Sequence, residues 1–177
     1  MFNWFALSGF LFGFSTIFFG LFTYLKDRHG KINQRWLYFC ISTAIWGFGG
    51  AIIANINYQS YDWALFAWRV THIGVIFIPI FFLYFMYTWL EIEKPKLIKF
   101  HFAVGSIFLG LNLIDLFFNF QTKLFIGKLA WMFNSFYWDV HPHFDIYWIF
   151  VAWWFFLVIY AHYQAVQKYK TLSGIKK

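Results

Sequence analysis

Long runs of apolar residues, separated by short polar segments, dominate this sequence. Five runs reach the length of about 20 residues that a helix needs to cross the hydrocarbon layer of a bilayer. They lie at 4–25, 36–57, 64–90, 100–120 and 144–166. Strands of a transmembrane barrel would need about half that length and would alternate in polarity. The pattern therefore predicts an all-α, polytopic transmembrane bundle with five spans, forming one domain over residues 1–177.

Composition supports this class of protein. Hydrophobic residues form 62% of the chain and charged residues only 12%, about half of the roughly 25% that is usual in soluble domains. So few charges cannot cover a water-soluble surface, which excludes the soluble enzyme classes. The net charge of +7 is attributed to membrane topology, because no basic run is long enough for a nucleic-acid-binding arm. We therefore expect the lipid bilayer as partner, and no nucleic acid.

The distribution of lysine and arginine predicts the orientation in the membrane. The connections 26–35 and 91–99 and the tail after the fifth span hold eleven of these residues, whereas the 58–63 turn and the 121–143 loop hold two. Basic residues are retained on the cytoplasmic side. We therefore expect the N-terminus outside, the C-terminus in the cytoplasm, and a multi-pass protein of the inner (plasma) membrane.

The predicted outer loop, 121–143, is unusually apolar for a connection. It contains Leu124-Phe-Ile, Leu129-Ala-Trp-Met-Phe and Phe136-Tyr-Trp. A segment of this composition will not extend into water. We expect the outer loop either to fold over the outer mouth of the bundle as a lid or to lie flat as an interfacial helix.

Small residues and one proline mark the packing of the spans. Gly9 and Gly13 in the first span, and Gly47 and Ala51 in the second, are spaced as in close helix contacts in lipid. Such a contact can lie within one bundle or across a dimer face. Pro79 removes a backbone hydrogen bond in the middle of the third span, so we expect a kink there.

Ionisable residues inside the spans indicate the candidate site, because a charge at the centre of a spanning helix costs about 2.5–3.5 kcal/mol. Arg69 and Asp115 each lie five residues from the outer end of a span, at a depth of about 7.5 Å. An ion pair between them would stabilise both charged side chains inside the membrane. His72 shares a helix face with Arg69, and Asn112 shares one with Asp115. Asn55 lies at the outer end of the second span.

This outer cluster has two interpretations. It can be an interhelical salt bridge that holds the bundle together, or it can structure a ligand-binding or pH-sensing pocket below the outer loop. Other chemistry has less support, since no histidine pair suits a haem and no nucleophile triad or phosphate-binding loop appears. His141 and His143, with Asp139 or Asp145, are too loosely spaced to indicate a metal site. We expect no catalytic residue, metal or cofactor.

Short motifs along the chain carry a resemblance to a known family. They are Arg35-Trp-Leu-Tyr-Phe, Ser42-Thr-Ala-Ile-Trp-Gly, Trp68-Arg-Val-Thr-His-Ile-Gly, Phe77-Ile-Pro, Leu124-Phe-Ile-Gly-Lys, Phe136-Tyr-Trp, Pro142 and Tyr147-Trp-Ile-Phe. In this order they resemble the N-terminal membrane sensor region of bacterial seven-helix receptor histidine kinases, over its first five helices. That family continues with two more spans and a cytoplasmic kinase module. The resemblance implies a fragment, one half of a split sensor, or a relative without the output module.

These observations together predict a membrane-embedded sensory or receptor module, with no enzymatic activity of its own. It would perceive a small or lipophilic signal at the outer side and pass it to a cytoplasmic output. The ligand-binding residues are predicted to be Arg69, His72, Asn112, Asp115 and Asn55. The alternative is a structural accessory subunit of a larger membrane complex, whose aromatic surface packs against partner helices.

Overall fold

Five long helices and one short β-hairpin form the part of the chain that the computed structural model describes, residues 3–118, 124–138 and 146–172. The elements are α1 (Trp4–Lys26), α2 (Lys31–Ala54), α3 (Tyr61–Trp89), α4 (Pro95–Phe117), β1 (Leu129–Met132), β2 (Ser135–Trp138) and α5 (Ile146–Leu172). All five helices are long and apolar enough to cross a membrane. The predicted all-α fold with five spanning helices is confirmed.

The helices do not coincide with the apolar runs at every end. α2 and α4 begin five residues before the predicted spans, and α5 continues six residues beyond its predicted end. α2 ends three residues early, because residues 55–60 form two turns before α3. Intrahelical hydrogen bonds form in water as well as in lipid, so the apolar run marks the lipid-embedded part of a helix and not its ends. Residues 119–120 and 144–145 of the predicted spans lie outside the described residues.

α3 is the central helix of the bundle. It packs against α2, α4 and α5, and 56% of its most apolar stretch is buried, against 17% in α1 and in α5. Pro79 lies inside this helix, which continues through it to Trp89. α3 therefore connects the two ends of the bundle as one element.

The small residues of α1 and α2 form one close helix contact. A Cβ atom added to Gly9 would lie 2.9 Å from the carbonyl oxygen of Gly47, and one added to Gly47 would lie 2.7 Å from the nitrogen of Gly13. These distances leave no room for a side chain, so the two backbones touch. The expected small-residue packing occurs within the bundle.

Two apolar clusters fill the interior, one toward each end. The cluster at the end that carries the hairpin, here called the hairpin end, includes Phe125, Phe136 and Phe150. The cluster at the opposite end, here called the basic end after the lysines and arginines of its turns, includes Leu83 and Leu157. The lysine and arginine distribution predicts that the hairpin end is outside and the basic end cytoplasmic.

The outer loop contains an antiparallel hairpin where one expectation placed an interfacial helix. β1 and β2 pair from Leu129 opposite Trp138 to Met132 opposite Ser135. The two turn residues, Phe133 and Asn134, have φ values of 51° and 58°, as a type I′ turn requires. The interfacial-helix expectation is wrong for these residues, because aromatic side chains favour strands and the two-residue turn at Phe133 and Asn134 lets the strands pair.

The hairpin folds back onto the beginning of α3. The Trp68 indole donates a hydrogen bond to the carbonyl oxygen of Phe136 at 3.1 Å. The Leu129 N–H donates to the Tyr61 hydroxyl at 3.0 Å. The described part of the outer loop thus covers the end of the bundle, as the lid expectation states.

Candidate functional site

Arg69 of α3 and Asp115 of α4 face each other inside the bundle, near the hairpin end. Nη2 of Arg69 lies 3.9 Å from Oδ2 of Asp115, and neither side chain has exposed surface. Nη1 of Arg69 also donates to the backbone carbonyl oxygen of Asp115 at 2.9 Å. The predicted ion pair therefore exists, and a backbone hydrogen bond between the same two residues fixes its geometry.

Both members of the pair bind the backbone of residues 124–126. The Asp115 carboxylate accepts hydrogen bonds from the N–H groups of Leu124 and Phe125, each at 2.7 Å. Nη2 of Arg69 donates to the Ile126 carbonyl oxygen at 2.8 Å. Residues 124–126 belong to no helix or strand, so their buried polar groups need such partners. The ion pair anchors the outer loop to α3 and α4.

Asn112 extends this network on α4, one turn before Asp115. Its Nδ2 atom donates to the backbone carbonyl oxygen of Arg69 at 2.8 Å. This hydrogen bond therefore connects α4 to the backbone of α3 at Arg69. This contact joins the two helices at the level of the ion pair.

His72 extends the network on α3, one turn after Arg69. Its Nδ1 atom lies 2.8 Å from the Trp68 carbonyl oxygen, and its Nε2 atom lies 2.7 Å from the Tyr147 hydroxyl. A carbonyl oxygen only accepts, so Nδ1 carries a proton in this contact, and Nε2 shares a hydrogen bond with the Tyr147 hydroxyl. His72 thereby links α3 to the first turn of α5.

The four polar side chains are closed off from the surroundings. Arg69, Asn112 and Asp115 are 0% exposed, and His72 is 1% exposed. The Phe125 ring packs beside His72, with its centroid 6.2 Å from the His72 ring and 5.1 Å from the Phe150 ring. Because the four side chains have almost no exposed surface, a ligand can contact them only if surrounding residues move.

Asn55, the fifth predicted ligand-binding residue, does not join the other four. Its Nδ2 atom donates to the Ala51 carbonyl oxygen of its own helix at 2.9 Å. It lines a separate cavity of about 890 Å³ with Asn3 of the α1 N-cap and Trp63 of α3. Asn55 faces α1 and not α4, because the end of α2 turns it away from the ion pair.

Several candidate residues of the outer loop are outside the described part of the chain. They are Asp139, His141, Pro142, His143 and Asp145, together with 121–123. Among the residues that the structure does describe, no group of three or more His, Cys, Asp or Glu side chains could hold a metal ion.

The sequence pattern does not indicate the main partners of the ion pair, which are backbone groups. An N–H or a carbonyl at residues 124–126 has no residue-type signature, so only the structure reveals this contact. Tyr147 did have a signal, since it lies at the beginning of the fifth span, at the same end as His72. A tyrosine hydroxyl at this end of the bundle can form a hydrogen bond with a buried imidazole.

Fold and site together define a helical chain compatible with a multi-pass membrane protein, with a buried charge pair that anchors a connecting loop. No family model, curated protein or solved structure matches the chain. The resemblance to the seven-helix receptor histidine kinases therefore depends on its short motifs alone.

Proposed function

We propose that this chain is a sensory module of the plasma membrane in which the outer loop responds to the signal. The Arg69–Asp115 pair, here called the latch, holds residues 124–126 of that loop in place by hydrogen bonds. The observation that supports this proposal is the attachment of residues 124–126 to both charged side chains. Releasing these residues leaves two buried charges with fewer hydrogen bonds, which is costly. Attached and released loops are therefore two distinct states, and a ligand that prefers one of them shifts the population.

The surroundings of Phe125 indicate the chemical class of the signal. Its ring packs among three aromatic rings, those of Phe108, Tyr147 and Phe150, with centroids 5.1–5.9 Å away. A molecule that replaces the Phe125 ring must be apolar and aromatic-sized. It must also present polar atoms to the Arg69 and Asp115 groups that residues 124–126 leave behind. The proposed ligand is a small lipophilic molecule with one polar end.

Two helices offer a path from the latch to the basic end. Arg69 and His72 belong to α3, which packs against three other helices over its length. His72 also binds Tyr147, in the first turn of α5. α5 ends at the basic end, where we propose that a cytoplasmic kinase module or further helices read its position.

A distance measurement at the basic end tests whether the latch is coupled to it. Spin labels at Glu93→Cys and Gln167→Cys, in a Cys40→Ala background, report the separation of the α3–α4 connection and the last turns of α5 in lipid nanodiscs. Asp115→Asn, which weakens the latch, should shift the distance distribution. Asp62→Asn, at an exposed carboxylate in the first turn of α3, is the matched control and should not. An unchanged distribution in Asp115→Asn would contradict the sensory proposal.

The second candidate function is an accessory subunit of a larger membrane complex. α1 favours it, because its phenylalanines Phe14, Phe18 and Phe19 are each more than half exposed and form a broad aromatic face for a partner helix. Purification in a mild detergent distinguishes the two functions. A stoichiometric protein complex that dissociates in Phe14→Ala/Phe18→Ala would favour the accessory role, whereas a bound lipophilic small molecule would favour the sensor.

A further inference from the structure

A basic cavity lies at the opposite end of the bundle from the ion pair. It has a volume of about 520 Å³ and opens between the beginnings of α2 and α4 and the end of α3. Among the described residues, its charged lining consists of four cations and two carboxylates: Lys31, Arg35, Lys94, Lys99, Glu91 and Glu93. Cations are therefore in excess around the cavity.

The two carboxylates form no direct ion pair with these four cations. Within the described residues, no nitrogen atom of the four basic side chains lies within 4.0 Å of a carboxylate oxygen. The Arg35 guanidinium lies 3.8 Å from the centroid of the Tyr84 ring, which orients it without removing its charge. Nζ of Lys94 lies 3.5 Å from the Tyr160 hydroxyl. The positive charge remains available to a ligand.

The backbone around the cavity adds to this preference for an anion. α2 and α4 both begin here, and their N-cap residues, Gly30 and Lys94, make no side-chain hydrogen bond to the first turn. The N-terminus of a helix is its positive end. α3 ends at the same cavity, but the Ile92 N–H caps the Tyr87 carbonyl oxygen at 2.8 Å. The negative end of α3 is thus partly satisfied.

A buried hydroxyl gives independent evidence for a ligand. Tyr87 lines the cavity and is only 2% exposed. Its hydroxyl lies beside the Tyr160 hydroxyl, but it finds no acceptor among the described residues that meets both the distance and the angle of a hydrogen bond. A buried donor without an acceptor is unfavourable. A ligand that brings an acceptor oxygen into the cavity would give the Tyr87 hydroxyl a hydrogen-bond partner.

We propose that this cavity binds the phosphate group of an anionic membrane lipid. Phosphate supplies the negative charge and the acceptor oxygens that the cations, helix N-termini and Tyr87 hydroxyl require. The cavity lies where spanning helices begin and end, which is the depth of lipid headgroups, and basic pockets between helices on the cytoplasmic side suit such headgroups. Ile92 and Ile98 line the same cavity and offer apolar surface to the acyl chains. This inference does not depend on the proposed sensory function.

Native mass spectrometry of the whole chain in a neutral detergent tests this lipid site. The probes are phosphatidylglycerol, phosphatidylcholine and inorganic phosphate, each added alone. We expect one retained phosphatidylglycerol and little phosphatidylcholine. The double variant Arg35→Gln/Lys94→Gln should weaken phosphatidylglycerol binding about thirtyfold, which is about fivefold for each cation removed. Tyr87→Phe should weaken it about tenfold or more, since it loses one hydrogen bond to a charged group.

The matched control is Arg28→Gln/Lys96→Gln, which removes two cations at the same end that do not line the cavity. It should retain the lipid as the unaltered chain does. Equal loss in both double variants, equal retention of the two lipids, or binding of inorganic phosphate without phosphatidylglycerol would each overturn the proposal. Lys99→Gln, at an exposed side chain, provides the test if Arg35→Gln impairs folding.

Discussion

At the scale of single residues, the cluster around Arg69 and Asp115 shows how buried charges are kept in an apolar bundle. Each charge binds backbone groups of the outer loop as well as the other charge. Charge-assisted hydrogen bonds of this kind are stronger than neutral ones. Neither residue can be removed without leaving the other short of partners, so the two should behave as a unit.

Removal of one member of the pair is therefore expected to be costly. Asp115→Ala or Arg69→Ala should lower the free energy of unfolding by about 3–5 kcal/mol, because a buried charge loses its partner. The double variant should be no less stable than either single variant. Denaturant unfolding in mixed micelles measures all three, with the exposed Asp62→Ala as control. Additive losses in the double variant would show that the two residues act independently.

The contact between His72 and Tyr147 gives a second residue-scale prediction. Tyr147→Phe removes the hydroxyl that lies 2.7 Å from Nε2 of His72 and leaves a buried ring nitrogen without that partner. We expect a loss of about 1–3 kcal/mol in the free energy of unfolding. His72→Phe in the same background should restore part of it, since both polar atoms are then gone. No recovery in this double variant would indicate that other contacts of His72 dominate.

At the scale of elements, the close approach of α1 and α2 depends on glycine at particular positions. Gly47 touches the α1 backbone, whereas a Cβ atom added to Gly50, three residues later in the same helix, would meet no atom within 4 Å. These two glycines therefore form a matched pair. Helix packing requires glycine at position 47, whereas position 50 can hold any small side chain.

Alanine substitutions at these two positions should have opposite effects. Gly47→Ala should destabilise the protein by about 1–3 kcal/mol, because the added atom forces the helices apart. Gly50→Ala should stabilise it by roughly 0.5–1 kcal/mol through reduced backbone freedom in the unfolded chain. The melting temperature in detergent distinguishes them. Equal shifts of the same sign would contradict the close α1–α2 contact.

The sequence predicts elements better than it predicts their contacts across the outer loop. The number of spanning helices follows from the apolar runs, although the exact helix ends do not. Because an unpaired charge inside a span is costly, the Arg69–Asp115 ion pair was predictable. The hairpin was not, because its turn has Phe133 where a type I′ turn prefers asparagine. The bonds to residues 124–126 were not predictable either, since they use backbone atoms. Asn55 was misplaced because apolar runs do not specify which way the end of α2 faces.

At the scale of the whole molecule, the orientation in the membrane is a prediction from the positive charges. A membrane-impermeant maleimide should label Gln59→Cys at the hairpin end in intact spheroplasts. It should label His29→Cys at the basic end only after the membrane is opened. Both residues are exposed, and Cys40→Ala removes the natural thiol. The reverse labelling pattern would invert the assignment of the two ends and place the ion pair near the cytoplasmic side of the membrane.

The proposed sensory function depends on the attachment of the outer loop to the buried ion pair. Hydrogen–deuterium exchange of the Leu124 and Phe125 amides in lipid nanodiscs measures this attachment directly, because both N–H groups bind the Asp115 carboxylate. We predict slow exchange in the unaltered chain and much faster exchange in Asp115→Asn, with no change in Asp62→Asn. Rapid exchange of both amides in the unaltered chain, or equal rates in all three proteins, would contradict the latch.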